Sequence, residues 1–279
     1  MSAPQLRHIW LCADDYGISP AVSAAIRDLI AKRRINATSV MVGTPSFNLA
    51  EAAALREAAG AHAAIGLHVT LTAPFRPLTP GFAPLRDGGF LPLAAMAARA
   101  LARLQDPALL EAEILAQFDA FNRAFGRAPD YADGHQHIHV FPQIGEALLR
   151  AMKTAAPQAW VRQCGRSAAA QRPLTDPKGL ILDALSARFD RLAAASGVRT
   201  NSAFSGTYSF RAGANFAKLF PGFLDGLPAG GLVMCHPGEV DAELTRLDPL
   251  TDLRAREYAY FLDGVFPQLL EASGYTLTL

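Results

Sequence analysis

Short apolar runs alternate along this chain with longer alanine- and leucine-rich stretches whose apolar positions recur at helical spacing. Residues 9–13 read as a strand, followed by a turn and a helix over 20–33, where Pro20 suits the first turn and Ser19 the N-cap. Residues 39–42 and 65–70 read as further strands, and the Pro- and Gly-rich segment 73–89 as a surface loop. Helices are predicted over 91–104 and 107–125, then a strand over 131–135, a helix over 143–154 and a short strand over 160–163. The stretch 167–197 reads as mainly helical and polar enough to lie outside, 199–203 as a weak strand and 231–235 as a strong one. A helix precedes a last extended segment at 275–279. Strands and helices in this order argue for parallel strands with helical crossovers. The unbroken apolar run Leu232-Val233-Met234-Cys235 fits a sheet covered on both faces. The expected fold class is α/β: one domain over 1–279, a (β/α) barrel-like fold of irregular TIM type, with no internal repeat or linker.

A chain of 279 residues can bury about three quarters of its unfolded surface in one domain. Its 26 basic and 25 acidic residues leave no basic footprint for a nucleic acid. Apolar stretches are broken by Arg, Asp or Gly before membrane-spanning length, so no membrane span is expected. The first eight residues hold no run of signal-peptide length, and the expected localisation is cytoplasmic. Cys12, Cys164 and Cys235 then read as reduced thiols, with Cys12 and Cys235 packed in the core. A homodimer is compatible with all of this.

Charged and metal-competent residues change the picture more. Of seven histidines, three alternate in Asp133-Gly134-His135-Gln136-His137-Ile138-His139, and in an extended strand they would share a face. Imidazole suits zinc and similar ions. The bland alternative, rings bonded to backbone inside a core, applies to part of the cluster, because metal sites rarely draw three ligands from one strand. Other polar groups stand just after predicted strands: Asp14-Asp15-Tyr16-Gly17, Gly66-Leu67-His68, and Cys235-His236-Pro237-Gly238-Glu239. In parallel barrels such strand ends converge on one face. Two adjacent aspartates repel if both are ionised in a dry cleft, so their surroundings should divide the work between ligand and base. Alone, the pair could equally cap the following turn and His68 would read as a packed ring, whereas the Pro-Gly after His236 exposes its side chain, with loop packing as the bland alternative.

Together these motifs resemble the YdjC/ChbG-like carbohydrate deacetylases, in order from Asp14 to Glu239. The resemblance implies a barrel-like α/β fold and metal-dependent removal of acetyl groups from N-acetylated sugars such as chitooligosaccharides. It implies one divalent metal ion held by Asp15, His68 and His135, with Asp14 as catalytic base, Arg162 orienting that base and His236 as proton donor. Two imidazoles favour Zn²⁺ over Mg²⁺ as the ion. A small carbohydrate is the implied partner. His137 and His139 would orient ligands or shape the sugar pocket. Tyr16 stands where phenylalanine is frequent in the family, and 201–206 matches the family's late loop only loosely. Rim aromatics Phe75, Phe141, Phe204 and Tyr208 are candidates for sugar stacking, though ordinary packing explains each. The competing readings are a metal-dependent phosphoesterase or amidohydrolase, which usually opens with His-X-His, and a non-catalytic sugar-binding module.

Overall fold

The computed structural model of the chain describes residues 6–167 and 177–278. In chain order its strands are β1 (Arg7–His8), β2 (Trp10–Tyr16), β3 (Ala37–Val40), β4 (Ala64–Val69), β5 (Tyr131–Gly134), β6 (Trp160–Val161), β7 (Phe204–Ser205), β8 (Leu232–Cys235) and β9 (Tyr275–Thr276). The strands β6–β5–β4–β3–β2–β8–β7 form, in that order, one all-parallel sheet that curls into a half-barrel, while β1 pairs with β9. The α/β barrel expectation holds in this partly open form. Between the edge strands, Thr200 makes a single bridge to Val161, and the Phe204 N–H donates to the Gly165 carbonyl. The buried Asn201 amide replaces a ladder there, accepting from the Gln163 N–H (2.8 Å) and donating to the Gln163 carbonyl (3.1 Å). The expected strand 199–203 is therefore one bridge and one side chain, with the regular pairs moved to Phe204–Ser205.

Helices cover the outer face. Ser19 caps Pro20–Ala31 by accepting from the Val22 N–H, and the helix buries Val22, Ala25, Ile26, Leu29 and Ile30 along one stripe. Asp106 does the same for Pro107–Phe125. The expected helix over 91–104 is shorter, Leu93–Leu101. The apolar pattern does not announce Leu49–Ala59, an alanine-rich helix that buries only Ala52, Leu55 and Ala59. Its termini are the clearer signal, with Asn48 accepting from two N–H groups and Gly60 in a left-handed φ of 49°. Pro177–Ala195 forms the helix expected within 167–197, where 168–176 lie outside the described residues. That helix is less external than its polarity suggests, since Ser186, Phe189 and Ala193 are fully buried. The C-terminal part holds Phe216–Leu224, Ala242–Leu247, Asp252–Leu262 and Val265–Ala272 rather than one closing helix. The 73–89 segment also departs from a surface loop: Phe75, Phe82 and the adjacent Phe90 are buried, and the buried Glu113 accepts from the Leu78 and Thr79 N–H groups.

Register sets what the concave face presents. Paired residues of parallel neighbours point the same way, so Ser39, Gly66 and Tyr131 fall in one row. A Cβ on Gly66 would stand 2.4 Å from the Tyr131 ring, so glycine there lets that ring lie across β4. The Tyr131 hydroxyl then meets Cys12 Sγ (2.9 Å) and the Ser39 hydroxyl (3.1 Å). Trp160 stacks on the Tyr131 ring with centroids 4.4 Å apart and lies tilted against Trp10 at 5.6 Å. Above the row come His68, Asp133 and Arg162 at the carboxyl ends of the strands.

Candidate active site

A β-bulge positions the two aspartates. Ala13 pairs with Thr38 and Tyr16 with Val40, so β2 carries one residue more than β3 between those points. Asp15 occupies the extra step with φ of 68°, a left-handed conformation that Asp tolerates better than most residues. The bulge gives the two consecutive carboxylates separate surroundings. Both are buried, and each is held by a fully buried arginine.

Asp14 belongs to the cluster on the strands. Arg162 donates from Nη1 to Asp14 Oδ2 (2.7 Å) and from Nη2 to Oδ1 (2.6 Å), a bidentate pair. The same Nη2 lies 2.6 Å from Asp133 Oδ2, which also accepts from the Ser39 hydroxyl. Burial alone would raise the Asp14 pKa, but the Arg162 charge and hydrogen bonds, with His68 and His236 nearby, hold it well below the usual carboxylate range. Asp14 is therefore ionised at neutral pH.

Asp15 faces the imidazoles. Its Oδ1 lies 2.9 Å from His135 Nδ1 and 3.3 Å from His68 Nε2, while Oδ2 accepts from Arg254 Nη2 at 2.6 Å. His68 Nδ1 is 2.6 Å from Asp133 Oδ1, which fixes the ring and directs Nε2 toward Asp15. Despite burial, Asp133, Asp15 and Asp14 push the His68 pKa up to about 10. One ligand atom each from Asp15, His68 and His135 lies within 4.8 Å of the others. Two imidazole nitrogens and one carboxylate oxygen match a catalytic zinc-type donor set. The residues fit such an ion.

The histidine run does not share a strand face. β5 ends at Gly134, and His135–Val140 forms a 3₁₀ helix with Gln136 (φ 55°) and His137 (φ 57°) in left-handed conformations. His139 folds back over Gly134, where a Cβ would lie 3.0 Å from its Nδ1, and donates from Nε2 to the Arg162 carbonyl (2.8 Å). Only His135 of the three therefore reaches Asp15. His137 packs edge-on against Phe204 with Nδ1 3.5 Å from Cys164 Sγ. Burial lowers the His137 and His139 pKa values to about 3 and about 4, so both rings are neutral at pH 7.

His236 stands after β8 with its Nε2 4.0 Å from Asp15 Oδ2 and with no partner for Nδ1 among the described residues. Burial, reinforced by Arg254, lowers its pKa despite Asp15 and Asp14. Its backbone N–H donates to Glu257 Oε2 (2.6 Å), and the Tyr208 hydroxyl donates to Glu257 Oε1 (2.6 Å). Burial pushes the Glu257 carboxyl up to about 7. Arg254 and Glu257, three residues apart on Asp252–Leu262, are both fully buried and were invisible to motif reasoning, because charged residues on a helix ordinarily face water. Of the rim aromatics, Phe75 lies edge-on to His135 (5.5 Å) and is buried like Phe204, while Tyr208 stacks on Phe210. The Tyr16 hydroxyl is absorbed by Arg27 and Glu51. The three cysteines are free and buried. No helix among the described residues is long and apolar enough to cross a membrane.

Comparison with known proteins gives a family match, two curated relatives and a solved structure of the same fold. A family model described as YdjC-like protein matches residues 8–272. A human carbohydrate deacetylase is 29% identical over 157 residues, 55% of this chain and 47% of that protein. A chitooligosaccharide deacetylase of Yersinia pestis is 30% identical over 132 residues, 47% of this chain and 50% of that protein. The alignments thus span about half the length of these curated relatives. A solved structure of a provisionally named cellobiose-phosphate cleavage protein from Enterococcus faecalis shares the fold, with a TM-score of 0.77, 21% identity, and coverage of 98% of this chain and 97% of that one.

Proposed function

We propose, from the premise that the chain belongs to the YdjC-like family, that it is a metal-dependent hydrolase removing acetyl groups from N-acetylated sugars. The whole of 1–279 is taken as one such domain. The observation that carries the reading is the division of the adjacent carboxylates, Asp14 onto Arg162 and Asp15 toward His68 and His135. The named relatives act on carbohydrates, which favours an N-acetylglucosamine-containing substrate of chitooligosaccharide type.

Asp15, His68 and His135 would hold a divalent ion, with Zn²⁺ favoured over Mg²⁺ by the two imidazoles, to polarise the acetamide carbonyl and acidify a water. Asp14, kept ionised by Arg162, accepts the proton of the attacking water. Arg162 fixes the Asp14 carboxylate through two hydrogen bonds, so its orientation costs nothing at the moment of reaction. His236, neutral at rest by its lowered pKa, would relay to the departing amine the proton that Asp14 takes from the attacking water, so the proton is conserved across the two steps. The products are acetate and a free amino sugar.

The test is acetate release from N-acetylglucosamine, chitobiose and longer chitooligosaccharides by chelator-stripped protein and after return of Zn²⁺ or Mg²⁺. Release that depends on the ion supports the reading. Aryl phosphate hydrolysis without acetate release would replace it with a phosphoesterase, and sugar binding without turnover would replace it with a binding module.

A further inference from the structure

The Asp15 carboxylate is shared between two sides, and the helix Asp252–Leu262 supplies one of them. Oδ1 faces His135 Nδ1 (2.9 Å) and His68 Nε2 (3.3 Å), whereas Oδ2 takes a hydrogen bond from Arg254 Nη2 (2.6 Å). Arg254 is itself locked: Nη2 also lies 2.6 Å from Asp248 Oδ2, and Nε donates to the Leu250 carbonyl at 3.0 Å. Its guanidinium is fully buried, so the charge beside Asp15 is poorly screened. Arg162 plays no part in this, being held by Asp14 and Asp133.

We infer that Arg254 is a positioning residue that limits Asp15 to a single-oxygen ligand and weakens the site's hold on its ion. The inference rests on the proposed metal site and goes beyond it. A carboxylate free at both oxygens can chelate an ion, occupying a position that a catalytic site needs for water or substrate. With Oδ2 committed to Arg254, only Oδ1 is available. The guanidinium and the ion are also two cations competing for one carboxylate, so removing the first should tighten binding of the second.

The experiment measures Zn²⁺ affinity of the chelator-stripped protein and the visible spectrum of the Co²⁺-loaded protein for wild type, Arg254→Met and Arg254→Lys. Arg254→Met should bind Zn²⁺ at least about tenfold more tightly and give weaker Co²⁺ bands, as the coordination number rises with a chelating Asp15. Arg254→Lys, which keeps the charge and a donor, should restore both readings toward wild type. A merely structural arginine would leave the spectrum and its rescue by lysine unmoved. Zn²⁺ binding by Arg254→Met that is unchanged or weaker overturns the inference, as does a lysine variant that behaves like methionine. If Arg254→Met does not fold, Arg254→Gln removes the charge while keeping polarity, and the same tightening is expected of it. Wild-type protein that binds no ion overturns the metal site and this inference together. Binding that Asp15→Asn abolishes but Arg254→Met leaves unchanged overturns the inference alone.

Discussion

Two fully buried arginines flank the Asp14–Asp15 step, and they serve different regions. Arg162 follows β6 and sits in a cluster closed by strands, where Asp14, Asp133, Cys12 and Ser39 surround its terminal nitrogens. Arg254 arrives from a helix late in the chain and meets a carboxylate whose other oxygen faces two imidazoles. In the first cluster one guanidinium is shared by two carboxylates. The second presents donor atoms that a cation can use. The difference teaches that one bulged residue in β2 separates a carboxylate fixed by a strand-borne guanidinium from one that faces two imidazoles.

The comparison breaks most visibly at Arg162. Arg162→Met leaves Asp14 and Asp133 without their guanidinium and should cost about 3–5 kcal/mol of stability in urea unfolding. Zn²⁺ should not restore it, whereas the loss caused by Arg254→Met in metal-free protein should shrink when Zn²⁺ is added. Equal rescue of both would erase the distinction between the regions. Next in size, Asp133→Asn should weaken Zn²⁺ binding about 10–100-fold by releasing His68 Nδ1, as read by calorimetric titration. Unaltered affinity would show that the orientation of His68 does not matter to the site.

A smaller effect concerns pH. Burial raises the folded Glu257 pKa to about 7, above the 4.5 of an ordinary glutamate, so between those values the native state holds a proton that the unfolded chain has released. Its stability contribution is present at low pH and declines as pH rises through this window. The melting-temperature advantage of wild type over Glu257→Gln should therefore fall between about pH 4.5 and 7; a constant difference would mean that Glu257 does not titrate there. The smallest effect is expected for Tyr16→Phe, about 1 kcal/mol or less, because Arg27 and Glu51 still pair without the hydroxyl. A loss of several kcal/mol in urea unfolding would contradict that.

The strand-borne region was the readable one. Short apolar runs end in Asp14-Asp15, His68 and Asp133, and parallel register alone brings those ends together. Gly66 and Gly134 carried a physical message as well, since each leaves room for a ring, Tyr131 or His139. The turn at Gln136 and His137 was not readable, because both are non-glycine residues at positive φ and nothing in their type announces it. Alternation suggested one face for three histidines, and a fold-back of the chain onto Gly134 decided otherwise. Arg254 and Glu257 escaped for a different reason. In the sequence Asp252-Leu253-Arg254-Ala255-Arg256-Glu257 the buried charges look like the exposed ones, and only tertiary packing separates them.

The central claim is that adjacent carboxylates have separate duties, and paired assays on Asp14→Asn and Asp15→Asn test it most directly. Zn²⁺ binding and acetate release from a chitooligosaccharide would be measured on the same preparations. The account predicts that Asp14→Asn keeps its metal and loses about 10²–10⁴-fold in turnover, while Asp15→Asn loses both. Full turnover by Asp14→Asn, or loss of metal in Asp14→Asn with retention in Asp15→Asn, would contradict it.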